Sequence, residues 1–433
     1  MKTKSKAKII YFILGIFLAF AIFFIFYTVF FKNPGYSFFY SIGKFAGLLG
    51  FIFLSFLIFS GETARFFDRF FGINKIILFQ RKFSLITAFF VLTHPFFFII
   101  SDKNFINYFV LNFVSLSLAL GVISFYIFVI VLLSSILYKK ISYKIWQYIH
   151  IFIYLLFFFS FYHAVRLGSD SNFLVIKLIY YLAFVSVIVG IIYRTNYKIK
   201  ERSNIFYVKE IKKETEDAFT LVVNSNKPFS FKAGQFCFLR LDKSKIYARH
   251  PFTISSSSNN KELCFTMKVY GEFTRAVLKL KKGERIFVDG PFGIFTFEDT
   301  ISDLKKKVVF VAGGVGITPF FSMINSNKKA KEKKNITLFY CSKKIKNIIF
   351  KNKLNRIKNK WFKKIYIVSQ DKCSGNVKES GRIDKRLIQK YFLDIKNSVF
   401  YICGPEKMKE YLVNELKRMG VEKSEIITED FFW

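Results

Sequence analysis

WQYIHIFIYLLFFFSFYH, residues 146–163, is apolar enough to cross a bilayer, yet it carries His150 and His163, two of the four histidines in the chain. A titratable ring in hydrocarbon is costly, so histidines at this depth predict a functional site. Their thirteen-residue separation corresponds to a rise of about 20 Å and about 3.6 helical turns. The two rings therefore do not share a face of a regular helix. Either the helix is distorted, or the rings serve different neighbours.

A third histidine, His94, lies in another apolar segment, directly before Pro95. Two neutral imidazoles on facing helices are suitable axial ligands for a heme iron. The alternative is that a membrane histidine only bonds a carbonyl group of a neighbouring helix. Because three of the four histidines lie in the apolar half, we favour b-type heme. The predicted metal ligands are His94, His150 and His163.

Six apolar segments predict six transmembrane helices, each close to the ~20 residues that a bilayer requires. The predicted spans are residues 9–31, 38–60, 83–101, 112–137, 146–166 and 172–193. Basic residues concentrate at the N-terminus, in alternate loops and after the last span, so both termini are expected in the cytoplasm. Residues 1–198 are thus predicted to form a multi-pass bundle in the cytoplasmic membrane.

With this orientation the third and fifth spans both run outward. His150 then lies near the inner surface, whereas His94 and His163 lie nearer the outer one. We therefore predict His94 and His163 as the axial pair, with Pro95 helping to aim the ring of His94 by removing a helix hydrogen bond. Fourteen residues before His94 stands Gln80 rather than histidine. A second, inner heme held by His150 from one side remains open.

The net charge and the cysteine spacing argue against several classes of binding function. The 433-residue chain is 52% hydrophobic and carries a net charge of +38, from 67 basic and 29 acidic residues. Nucleic acid would suit that charge, but no nucleic-acid motif is present, so we predict a lysine-rich face beside anionic lipid and no nucleic-acid partner. No two of the five cysteines have CxxC spacing, so neither an iron–sulfur nor a zinc site is indicated.

After residue 198 the sequence pattern changes twice. Short segments with alternating apolar residues, separated by turn residues, predict an antiparallel β-barrel over residues 199–300. Buried-strand runs that alternate with helical stretches predict an α/β domain with a parallel sheet over residues 301–433. The predicted fold is thus a multi-domain membrane protein with a six-helix bundle, a barrel and an α/β domain.

Two glycine-containing turns mark the predicted ligand edge of the parallel sheet. The first strand runs into AGGVGITP, residues 312–319, where glycines let backbone amides approach a phosphate at the start of a helix. This is not the GxGxxG fingerprint, and a plain strand–helix turn is the alternative. The last strand ends in CGPE, residues 403–406, at the edge where such folds bind ligands. Cys403 could equally be a buried apolar residue.

The order of motifs carries a family resemblance. RHPFTIS (249–255), MKVYGEFT (267–274), GPFG (290–293), the glycine turn, CGP (403–405) and an aromatic C-terminus resemble the ferredoxin–NADP reductase superfamily. The HPFT form, joined to six spans with membrane histidines, resembles the ferric reductase and NADPH oxidase family. The resemblance covers almost the whole chain. It implies FAD, heme b and NAD(P)H as cofactors.

The resemblance also implies roles for individual residues. Thr253 would contact the flavin ring, Cys403 would lie near the nicotinamide, and Glu429 would assist their encounter or be a solvated surface acid. Trp433 would cover the flavin, unless it is a frayed end. The implied FAD residues are His250, Pro251, Phe252, Thr253, Lys268, Gly271 and Thr274. The implied NAD(P)H residues are Gly313, Gly314, Gly316, Thr318, Cys403, Gly404 and Pro405. Ser342, Lys343 and Lys344 would allow a 2′-phosphate.

The resemblance implies an NAD(P)H-dependent flavocytochrome b reductase of the ferric reductase type. The expected acceptor is a small molecule on the outer face, a ferric chelate. Dioxygen, giving superoxide, and a periplasmic partner reductase are the alternatives. The chain departs from the family because its third span carries one histidine where many members carry two. In this respect it also resembles the bacterial heme membrane subunit of methionine-sulfoxide repair, which lacks an attached flavin half.

Overall fold

A computed structural model describes most of the chain. The described residues are 2–32, 36–103, 106–138, 140–202, 205–241, 249–258, 262–297, 306–372, 374, 377–392 and 394–429. Trp433, the predicted flavin cover, lies outside them. The chain divides into two compact units, Lys4–Lys200 and a second unit that consists mainly of residues 201–433.

The described residues of the unit Lys4–Lys200, called the membrane unit below, form helices and the turns between them. Its helices are α1 Lys2–Phe31, α2 Phe38–Glu62, α3 Ala64–Phe71, α4 Ile73–Asp102, α5 Ile106–Phe109, α6 Leu116–Ile136, α7 Tyr143–His150, α8 Phe152–Leu167 and α9 Leu174–Arg202. Within the described residues, five helical segments are long and apolar enough to span a membrane, namely α2, α4, α6, α7 with α8, and α9. The first predicted span is helical, but its apolar described part, Gly15–Phe31, is shorter. The first span, and with it the total of six, therefore stays a prediction.

Helix α2 is the central element of this unit. In its most apolar window 61% of the residues are buried, against 28% or less in the other four candidate spans. Phe51 of α2 stacks on Phe157 of α8 at 5.6 Å and meets Tyr180 of α9 edge-on at 5.4 Å. The core thus forms where aromatic rings from α8 and α9 pack on α2.

Two ion pairs also tie α2 to later parts of the bundle. Lys44 Nζ lies 2.8 Å from Asp170 Oδ2, and both side chains are almost fully buried. At the other end of α2, Glu62 Oε1 accepts hydrogen bonds from Arg194 at 2.6 Å and from the Tyr154 hydroxyl at 2.7 Å. Buried charges require such partners because leaving one unpaired is costly.

The second unit begins with an antiparallel sheet. Its strands are β1 Phe206–Lys213, β2 Ala218–Ser225, β3 Phe236–Leu241, β4 His250–Thr253, β5 Glu262–Lys268 and β6 Arg285–Phe292, in the order β4-β3-β6-β1-β2-β5. An isolated bridge between Ile254 and Phe265 links the two edges at one point. The antiparallel sheet is confirmed, whereas a closed barrel stays a prediction. Helix α10, Glu272–Leu278, follows β5.

The last part of the chain forms a parallel sheet, as predicted. Its strands are β7 Lys307–Gly313, β8 Ile336–Ser342, β9 Phe362–Val368, β10 Val377–Ser380, β11 Ser398–Cys403 and β12 Ile426–Thr428, in the order β10-β9-β8-β7-β11-β12. The helices are α11 Ile317–Lys329, α12 Lys351–Asn355, α13 Lys385–Tyr391 and α14 Glu406–Arg418. The strand order reverses at β7, so a crevice is expected beyond the carboxyl ends of β7 and β11.

Candidate cofactor sites

The structure brings two of the three predicted metal ligands together. The rings of His94 on α4 and His163 on α8 have centroids 6.5 Å apart and planes at 87°. Imidazole nitrogens bind metals at about 2 Å, so rings on opposite sides of one metal have centroids about 6 Å apart. The observed spacing therefore fits two axial ligands of one iron.

Hydrogen bonds define which nitrogen of each imidazole ring is free to bind a metal ion. His94 Nδ1 lies 2.7 Å from the Gly43 carbonyl oxygen, and His163 Nδ1 lies 2.9 Å from the Ser117 carbonyl oxygen. A carbonyl oxygen only accepts, so each Nδ1 carries the proton and each Nε2 keeps its lone pair. Metal-binding histidines commonly have this arrangement, because the second bond orients the ring and increases its basicity. The donor set thus fits heme.

His150, the third predicted ligand, has different surroundings. Its ring stacks on Trp146 at 4.8 Å, and its Nδ1 is buried without a hydrogen-bond partner. Within the described part of the chain no group of three or more metal-binding side chains occurs. The helix is interrupted between His150 and His163, where the Tyr154 amide bonds the Ile151 carbonyl three residues back. A distorted helix was one of the two alternatives that the thirteen-residue spacing predicts. The different surroundings of the two rings agree with the other alternative.

Gln80 occupies the position where a partner for His150 would be expected. Its Nε2 donates to Ser60 Oγ at 2.9 Å, so Gln80 is engaged with α2. The nearby end of α2 carries Glu62, which is paired with Arg194. Sequence reasoning missed Glu62 and Lys44, although a charged residue in an apolar segment is itself a signal of a buried partner.

The predicted flavin residues cluster around the end of β4. Thr253 is buried, and His250 and Phe252 both stack on Phe273 of α10, at 4.1 Å and 5.7 Å. Pro251 lies between them on the strand. Burial lowers the pKa of His250, and its Nε2 has no hydrogen-bond partner. A buried nitrogen without a partner is suited to an acceptor group on a bound ligand.

Lys268, Gly271 and Thr274 lie at and after the end of β5. The Thr274 hydroxyl accepts hydrogen bonds from the amides of Tyr270 and Gly271, so it shapes the start of α10. Lys268 Nζ pairs with Asp217 Oδ2 at 2.8 Å. A Cβ on Gly314 would lie 3.9 Å from Lys268 Cε. The Lys268 side chain therefore lies beside the glycine turn of the parallel-sheet domain.

The two glycine turns meet at the carboxyl ends of β7 and β11. A Cβ on Gly313 would lie 2.7 Å from Pro405 Cδ, and a Cβ on Gly316 would lie 2.3 Å from the Cys403 carbonyl oxygen. A Cβ on Gly404 would lie 2.9 Å from Gly313 Cα. These glycines therefore allow backbone to pack against backbone, and the turns form one edge of the expected crevice.

The remaining predicted residues lie at the same edge. Gly314 has a positive φ of 57°, and its carbonyl accepts a hydrogen bond from the Tyr340 hydroxyl at 3.0 Å. Thr318 is buried at the start of α11, where its hydroxyl donates to the Val315 carbonyl. Cys403 is buried at the end of β11.

Glu429 directly follows β12, and its amide bonds the Ile402 carbonyl. Because Glu429 is only 8% exposed, its interpretation as a solvated surface acid is wrong.

Ser342 is the last residue of β8, on the other side of β7 from β11, and Lys343 and Lys344 follow it. Ser342 Oγ donates to the Lys344 carbonyl at 3.1 Å, and the Gln370 amide donates to the Lys343 carbonyl. Sequence reasoning also missed Asp217. Its carboxylate pairs with Lys268 and also accepts a 3.5 Å hydrogen bond from the side-chain amide of Asn347, so it joins Lys268 to this region. Hydrogen bonds from Lys268 and Thr215 outweigh the effect of burial and lower the pKa of Asp217.

Three family profiles match the chain in consecutive segments. The Ferric reductase like transmembrane component matches residues 46–161, the FAD-binding domain matches 203–296, and the Oxidoreductase NAD-binding domain matches 310–414. Together they define a membrane oxidoreductase with FAD-binding and NAD-binding domains. Their order is that of a ferric reductase/NADPH oxidase-type fusion, which confirms the resemblance that the motifs carry.

Individual relatives match only part of the chain, at 30% identity or less. The chain is 30% identical over 168 residues to a subunit of the Na(+)-translocating NADH-quinone reductase of Marinomonas sp. (strain MWYL1), covering 37% of this chain and 40% of that one. It is 24% identical over 240 residues to the gamma subunit of sulfhydrogenase 2 of Pyrococcus furiosus, covering 53% and 78%. The chain thus spans less than half of the first of these relatives.

Solved structures are also similar to the chain. Flavohemoglobin from Malassezia yamatoensis superposes with a TM-score of 0.50 at 19% identity, covering 87% of this chain and 94% of that one.

Proposed function

We propose that this chain carries electrons from cytoplasmic NAD(P)H, through FAD and a b-type heme, to a ferric chelate on the outer face of the membrane. The facing rings of His94 and His163, each with Nδ1 bonded to a helix carbonyl, are the observation that carries this proposal. The FAD-binding and NAD-binding profiles support the electron source.

We also propose one heme rather than two. His94 and His163 would hold it. His150 stacks on Trp146, and Gln80 is bonded to Ser60. These contacts support a single ligand pair.

The positions of residues in the second unit support their proposed roles. Flavin can accept a hydride and heme iron carries single electrons, so these groups would supply the redox chemistry. Thr253 at the buried end of β4 would contact the flavin, and the glycine turn after β7 would bind the pyrophosphate of NAD(P)H. Cys403 and Glu429 would line the nicotinamide end of the crevice, since β11 lies beside β7 and β12 lies beside β11.

The test uses purified protein in detergent, supplied without oxygen with NADPH or NADH and ferric citrate. Iron(II) formation is followed with a coloured chelator. We expect steady reduction, and we expect His94→Ala to abolish it while reduction of an artificial flavin-level dye continues. Idle protein would contradict a small-molecule acceptor and favour a partner protein. In a parallel assay in air, oxygen uptake with trapped superoxide at a rate above that of iron reduction would favour an oxidase.

A further inference from the structure

The rings of His94 and His163 each contact a carbonyl group and a glycine of a neighbouring helix, and we call each such arrangement a histidine seat. The two seats are built in the same way. On α2, the Gly43 carbonyl bonds His94 Nδ1, and a Cβ on Gly47 would lie 2.4 Å from Cε1 of that ring. On α6, the Ser117 carbonyl bonds His163 Nδ1, and a Cβ on Gly121 would lie 2.3 Å from that Nδ1. In each seat the glycine follows the carbonyl residue by four positions.

This spacing has a physical reason. A helical side chain leans toward the helix N-terminus, so the side chain at one position covers the carbonyl four residues earlier. A glycine there leaves that carbonyl open to the side. The oxygen has two lone pairs, so it can accept an imidazole N–H in addition to its helix hydrogen bond.

Gly61, near the end of α2, does not meet this requirement. A Cβ on Gly61 would meet only Gln80 Nε2, at 3.7 Å, which is ordinary contact. Glycine inside a helix costs about 1 kcal/mol relative to alanine. At Gly47 and Gly121 this loss of helix stability is offset by the space that each glycine leaves for the ring of His94 or His163.

We infer that Gly47 and Gly121 are positioning residues of the heme site. Each uncovers the helix carbonyl that holds the proton on Nδ1 and directs Nε2 of His94 or His163 toward the iron. This inference rests on the proposed function, because it assumes that the two rings bind heme. It adds two residues, and a pair of helix carbonyls, that no histidine search would find.

The first experiment compares heme content per FAD in Gly47→Ala, Gly121→Ala and the matched control Gly61→Ala. Groups that orient a metal-binding histidine typically contribute 10–100-fold to metal affinity. We therefore expect the two seat variants to lose at least about tenfold in heme occupancy at limiting heme. Gly61→Ala should keep the parent ratio, because a Cβ there would make only an ordinary contact.

The second experiment does not depend on heme. Thermal unfolding of heme-depleted protein is measured for Gly47→Ala in the parent and in the His94→Ala background, and likewise for Gly121→Ala with and without His163→Ala. The clashing atoms belong to the rings, so alanine should destabilise the parent and be neutral or stabilising once the ring is removed. Equal destabilisation in both backgrounds, or full heme retention in both seat variants, would overturn the inference. Absence of heme from the parent would instead refute the proposed function.

Discussion

His94 and His163 face each other across the membrane bundle with ring centroids 6.5 Å apart, although 69 positions separate them in the sequence. The helices that carry them, α4 and α8, each contribute one ring, and α2 and α6 supply the carbonyl groups that orient these rings. Four helices thus converge on one site. Because each ring is held by a helix other than its own, two residues far apart in sequence stay close together.

The first prediction concerns the ligands themselves. His94→Ala and His163→Ala should each remove the heme absorbance, because one axial ligand leaves the iron weakly held. His150→Ala should retain it, because His150 stacks on Trp146 rather than on another histidine. Spectra of the three purified variants, normalised to FAD, check this. Loss of heme from His150→Ala alone would reverse our assignment of the ligands.

The second prediction concerns the pair Glu62–Arg194. Glu62→Gln removes the carboxylate whose side chain is 5% exposed and leaves Arg194 without its counter-charge. We expect a loss of about 2–3 kcal/mol, below the usual cost for a fully buried pair because the Arg194 side chain is 43% exposed. Thermal unfolding in detergent measures it. The control Lys390→Gln removes an exposed lysine from its pair with Glu379 and should change stability much less, because solvent screens its charge.

The third prediction separates two roles for Lys268. The resemblance assigns it to FAD, whereas the structure places its side chain beside Gly314 in the turn after β7. We expect Lys268→Gln to raise the KM for NAD(P)H about fivefold, since one half-exposed charge contributes about 1 kcal/mol. FAD content should not change. If FAD is lost while KM stays constant, the role implied by the resemblance is the correct one. Lys209→Gln, which breaks an ion pair with Glu262, is the matched control.

The fourth prediction is a pH dependence of stability. Burial lowers the pKa of His250 in the folded chain, while an unfolded histidine titrates near about 6.5. As pH falls below that value the unfolded chain binds more protons than the folded chain, so stability should decrease. Thermal unfolding of flavin-depleted protein between about pH 5 and 8 should show a shallower decline in His250→Gln. Identical pH profiles for the two proteins would contradict the buried, neutral His250.

Much of this architecture could be predicted because its signals are local. Apolar length marks the spans that include α2, α4, α6 and α9, and alternation marks the strands of the antiparallel sheet. The glycine turn after β7 and the CGP turn after β11 are recognisable motifs, and a parallel sheet places the ends of its strands at one edge. These predictions required no knowledge of distant contacts.

Other features depend on contacts that sequence spacing does not reveal. The seats at Gly47 and Gly121 arise only when α4 packs on α2 and α8 packs on α6, so these glycines look ordinary in the sequence. The pairing of Glu62 with Arg194 joins residues 132 positions apart. Glu429, which is buried after β12, accepts a hydrogen bond at its carbonyl from Lys409 of α14, twenty positions earlier. Each depends on tertiary packing rather than on local pattern.

The most direct test of the account is the ratio of heme b to FAD in protein extracted from membranes after full heme supply, together with its reduced-minus-oxidised spectrum. One heme per FAD, with the spectrum of an iron bound by two histidines, is the predicted result. A folded, flavin-containing preparation that reduces dyes but shows no heme absorbance would contradict the central claim that His94 and His163 hold a heme.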